Sequence, residues 1–86
     1  MNVELKVAVE IYDREAIIII TSQRRSRYMW GILEEFEKHD LDLENLQLSA
    51  GEFFALLHFH VNFKDNIYHD PAQIQPSLEC RLRLTY

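Results

Sequence analysis

His58 and His60, in the stretch FFALLHFHVNF, are the side chains best placed by spacing for chemistry. On a strand, residues i and i+2 project from one face, so both imidazoles point the same way, as a metal site would require. Zinc needs more than two ligands, and His39 and His69 stand at no ligand spacing from the pair. The pair is therefore read as polar members of a half-exposed face, and no metal or other cofactor is expected. Cys80 has no base beside it in sequence and is assigned to packing. As the single cysteine it cannot close an internal disulfide, which points to a reducing compartment. Paired carboxylates, a nucleophile with its base and a phosphate-cradling loop cannot be assembled from this pattern, so the chain is not expected to be an enzyme.

The other chemically suggestive run is Gln23-Arg24-Arg25-Ser26-Arg27, soon after four consecutive isoleucines, Ile17 to Ile20. Arg24, Arg25 and Arg27 precede a predicted helix. They either hold an acidic partner, a phosphate or a small carboxylate, or they keep a loop solvated. Cations are mildly unfavourable at that end of a helix, a small argument for a purpose. The chain as a whole carries a net charge of -5. A phosphate backbone demands a surplus of Lys and Arg, so direct nucleic-acid contact is not expected, and anionic membranes are disfavoured for the same reason. No segment approaches the roughly 18 apolar residues of a membrane-spanning helix, and no signal-peptide pattern opens the chain.

These residues need elements to position them. Eighty-six residues, 48% hydrophobic with two Gly and two Pro, make a single globular domain, residues 1–86. Val3, Leu5, Val7, Val9 and Ile11 alternate with polar residues and predict a half-buried strand over 3–11. The polar YDRE at 12–15 predicts a hairpin. Residues 16–22, AIIIITS, show no alternation, which suits a central strand covered on both faces. Met29, Ile32, Leu33 and Phe36 form a helical stripe over 27–39, with Ser26 as N-cap and Glu34, Glu35, Glu37 and Lys38 on the wet side. Gly31 inside that helix is read as close packing against the sheet, and the helix should fail at His39-Asp40. A short strand follows over 43–50 with Leu46, Leu48 and Ala50 inward. After a turn at Gly51-Glu52, the longest strand runs over 53–63. The tail is ambiguous. Asp70-Pro71 starts a helix well, and Ile74, Leu78 and Leu82 keep helical spacing. Glu79 and Arg83 would pair at i, i+4. Against this, Leu78, Cys80, Leu82, Leu84 and Tyr86 alternate as a strand, and Pro76 interrupts any helix; the helix is preferred.

One layer of helices buries one face of a sheet. Trp30 lies off the helical stripe, Phe54 and Leu56 lie off the main strand face, and one pair of the isoleucines needs cover from the second side. That surplus is met either by a partner subunit, the preferred reading, or by Tyr68 and residues 78–86 folding over it. With residues 2–11 flanking the central strand on one side, the strand 44–50 becomes the free edge. Trp30, Leu46, Leu48, Phe54 and Leu56 are thus the candidate interface.

The pattern VELKV…REAIIIITSQRR…GILEEFEKHDLDLENLQLS…FFALLHFHVNF resembles the ACT-like domain at the C-terminus of plant basic helix-loop-helix transcription factors. The likeness spans about the first three quarters of the chain. Strands match at 3–7 and 16–22, a basic loop at 23–27 and a helix at 28–39. A Leu-acidic-Leu element follows at 41–43, then two strands over 44–63. The resemblance implies an α+β fold, a ferredoxin-like or ACT-like antiparallel sheet of about four strands with one or two helices on one face. It also implies a nuclear module that forms homodimers or heterodimers with a related ACT-like domain and so regulates the attached DNA-binding region. The wider ACT group, which binds amino-acid effectors between paired domains, supplies the alternative. Its ligand loop usually carries a Gly, and residues 23–27 have none, so close backbone approach to a carboxylate is harder here.

Overall fold

Alternating apolar residues build four strands into one antiparallel sheet of order β1-β2-β4-β3: β1 (Lys6–Tyr12), β2 (Glu15–Gln23), β3 (Leu41–Ala50) and β4 (Phe54–Phe63). Two helices complete the fold, α1 (Tyr28–Lys38) and α2 (Pro71–Thr85). The computed structural model describes residues 5–23, 28–64 and 70–85. The architecture is α+β, and its strand order is that of a ferredoxin-like sheet. Ser26 and Tyr68 lie outside the described residues.

Each junction has a local cause. β1 and β2 join through Asp13-Arg14, with Tyr12 opposite Glu15. Asp13 has a φ of 55°, a left-handed conformation that a short polar side chain tolerates. The turn that follows α1 ends at Asp40, also left-handed at φ 57°, as the residue past a helix C-terminus often is. The Lys64 N–H then donates to the Asp40 carbonyl at 3.0 Å, tying that corner to the end of β4. α2 is capped by Asp70, whose Oδ1 accepts the Ala72 N–H at 2.9 Å and whose carbonyl accepts the Gln73 N–H at 2.9 Å.

The tail is a helix, as preferred, and Pro76 sits inside it on the exposed side. Its missing N–H removes one backbone bond, while Ile74, Leu78 and Leu82 bury completely or nearly so. Three apolar anchors outweigh one lost bond.

Both helices pack on the same face of the sheet. Ile32 and Phe36 from α1, and Ile74, Leu78 and Leu82 from α2, share one core with Val7, Ile18, Ile20, Leu57, Phe59 and Val61. Phe36 and Phe59 meet edge to face, with centroids 5.0 Å apart and planes at 89°.

Several sequence expectations are corrected. Within the described residues, β2 is covered on one face only. Ala16, Ile18, Ile20 and Ser22 are 0% exposed, whereas Ile17, Ile19, Thr21 and Gln23 are only half-buried. The described part of the tail cannot roof that second face, because α2 lies on the side α1 already occupies. β3 begins at Leu41, which is buried, and a bulge between Leu43 and Asn45 shifts its register. Leu46 is half-buried, and Leu48 and Ala50 are exposed. Leu48 pairs with Leu57 and so points to the helix side, but it lies at the sheet's edge. Gly31 meets α2 rather than the sheet: a Cβ there would come 3.2 Å from Arg81 Nε. Glu35 is not on the wet side. It is 6% exposed and accepts a bond from Ser77 Oγ at 2.7 Å.

Leu78 anchors this layer. Replacing Leu78 with Ala should cost about 2–5 kcal/mol, read as a lower urea midpoint. A loss below about 1 kcal/mol would contradict its place in the core.

Candidate association surface

The second face of the sheet presents one side-chain set from each strand. Ladder register places Lys6, Ala8, Glu10 and Tyr12 of β1 beside Thr21, Ile19, Ile17 and Glu15 of β2. Beyond them stand Leu56, His58, His60 and Asn62 of β4, with Phe54 opposite Gln23. Ser49, Gln47, Asn45 and Asp42 of β3 close the far side. Apolar residues therefore form a diagonal band, from Ala8 and Ile17 through Ile19 to Leu56 and Phe54 at one end of β4, with His58 and His60 beside the two isoleucines. One end is acidic. Glu15 approaches His60 Nε2 at 3.2 Å, and Asn62 Nδ2 donates to Glu44 at 2.5 Å.

The candidate interface residues do not gather into one patch. Phe54, 44% exposed, and half-buried Leu56 belong to the uncovered face. Leu46 and Leu48 point to the helix side at the β3 edge, and Trp30 is 72% exposed on α1. Arg24, Arg25 and Arg27 lie outside the described residues. Cys80 is exposed rather than packed, since the buried stripe of α2 passes through Leu78 and Leu82.

His58 and His60 do share a face, as their spacing predicts. Among the described residues, no His, Cys, Asp or Glu cluster of three or more stands ready to hold a metal ion. Among the described residues the most enclosed ionisable group is Glu35, between Ser77 and His39 Nε2 at 3.7 Å. Here the carboxylate sits between hydroxyl and imidazole, whereas activation of a serine needs the imidazole in the middle. Spacing alone could not reveal this contact, because Ser77 and Glu35 meet only once α2 folds onto α1.

Two electrostatic perturbations lie near the sheet's acidic end. Lys64 is held above its ordinary value, first by its hydrogen bond to Glu37 at 3.2 Å and then, with burial opposing, by the charges of Glu37, Asp42 and Asp40. The Tyr12 phenol donates to Glu10, and that bond together with the carboxylate's charge raises its pKa above 10.0. The neutral phenol is the form the carboxylate favours.

Among the described residues, no helix is long and apolar enough to cross a membrane. Compared with protein-family models, curated proteins and solved structures, the chain has no match in any of the three.

Replacing Glu10 with Gln should bring the Tyr12 titration back down toward 10.0, followed by NMR of its ring protons. An unmoved titration would show that Glu10 does not hold the phenol.

Proposed function

We propose that this domain is a protein–protein association module whose first partner is a second copy of itself or a related domain. The carrying observation is a sheet its own described residues leave open on one face and at both edges, with Ile17, Ile19 and Leu56 half-buried and Phe54 exposed. Apolar area withdrawn from water contributes about 25 cal/mol per Å², and a free strand edge adds directional backbone bonds. With its resemblance over residues 3–63, the chain reads as the regulatory dimerisation domain of a plant basic helix-loop-helix transcription factor, acting in the nucleus. Its effect there would be avidity. Joining two DNA-binding regions turns the second binding event into an intramolecular one, without any new DNA contact.

Sedimentation equilibrium tests the association itself. The expected mass at micromolar concentration is near twice 10.3 kDa. A clean monomer, unchanged by a tenfold rise in concentration, would contradict the proposal.

A further inference from the structure

We infer that two copies of this chain join along the free edge of β1, antiparallel and in one register, with a two-fold axis at Ala8. The inference deepens the association reading and rests on it.

Among the described residues, the sheet has two free edges, β1 and β3. Natural edges are usually protected by bulges, charge or proline. β3 carries such devices. A bulge interrupts it at Leu43/Asn45, and its only ionisable side chains are Asp42 and Glu44. Every charge that β3 could set against its own copy is therefore of like sign. β1, KVAVEIY, has no bulge against β2 and no proline.

The direction of its backbone groups follows from the ladder. Phe63 N–H donates to the Arg14 carbonyl at 2.9 Å, which makes Arg14 and Phe63 a hydrogen-bonded pair. Alternation along β2 then turns Glu15, Ile17, Ile19 and Thr21 toward β1, where their partners are Tyr12, Glu10, Ala8 and Lys6. The N–H and C=O groups of Val7, Val9 and Ile11 consequently point outward, away from the sheet.

Those outward groups suit a second β1. Centred on Ala8, an antiparallel match sets Val7 against Val9 of the other copy as a hydrogen-bonded pair, and Leu5 against Ile11. These residues point to the helix side, so the two cores continue across the seam. On the opposite face, Lys6 falls directly across from Glu10 of the second copy, and the symmetry repeats the pair. Both are non-hydrogen-bonded positions, where side chains come closest. Ala8 meets its own copy at the axis, at a Cα separation of about 4.5 Å that a small side chain accommodates. Lys6, Ala8 and Glu10 are all exposed, and a groove of about 540 Å³ is lined by Lys6, Ala8, Ile19 and Glu79. Tyr12 already holds the Glu10 carboxylate on this face, and a carboxylate has acceptor sites for a lysine as well.

Charge exchange at the two positions tests the register, with sedimentation as the readout. Lys6→Glu alone and Glu10→Lys alone each set like charges across the axis, and each should raise the dimer dissociation constant about tenfold or more. An equimolar mixture of the two variants restores both opposite-charge pairs, and association should return close to that of the parent. That recovery excludes misfolding as the cause. In a Cys80→Ser background, Ala8→Cys should form an intermolecular disulfide with oxidised glutathione, while Gln47→Cys on β3 should not. If the parent dimerises and Lys6→Glu dimerises as tightly, or if the mixture fails to recover, the β1 seam is wrong while association stands. A monomeric parent would instead remove the association reading, and this inference with it.

Discussion

A single layer of helices against one side of the sheet is the constraint on which the rest of this molecule depends. Phe59, Ile18 and Ile20 are covered because α1 and α2 lie side by side over them. The helices are held to each other by the Ser77–Glu35 bond and the Arg81–Glu34 ion pair. With both helices spent on one face, the chain's described residues have nothing left for the other. The half-buried band of Ile17, Ile19 and Leu56 follows from that allocation.

Much of this arrangement could be read in the residues. β1 and β4 alternate cleanly; the structure buries the expected side of β4 from Ala55 to Phe63, and along β1 it buries Val7, with Leu5 just before it, and half-buries Val9 and Ile11. The Asp70 cap and the Ile74, Leu78, Leu82 spacing identify α2 correctly, although the same tail also satisfies a strand. Other features were hidden for physical reasons. Four adjacent isoleucines erase alternation, so the run looks alike whether one face is covered or two. In β3, Leu46, Leu48 and Ala50 do face the helix side as expected, but an edge position leaves Leu48 and Ala50 bare. Glu35 looked solvent-facing because a helical wheel cannot show that a second helix will lie against it. Cys80 is assigned to packing for want of a base beside it, and that says nothing about which side of α2 it occupies.

The surfaces left over differ in kind. A flat apolar band gives area without a preferred register, whereas a strand edge supplies directional bonds that fix one. Pairing along β1 would merge two four-stranded sheets into one of eight strands. The two apolar bands would meet near Ala8 and Ile19, flanked by the Lys6 and Glu10 pairs. Direction and charge would then set how the copies meet, and apolar burial on either side of the seam would set how tightly.

Amide hydrogen exchange over a dilution series tests this account most directly, because alternation along β1 gives it a signature. If two copies pair there, Val7, Val9 and Ile11 lose protection as the protein is diluted, while Lys6, Ala8 and Glu10, bonded to β2, keep theirs. Dilution-sensitive protection along Leu41–Ala50 instead, or exchange at every amide independent of concentration, would contradict it.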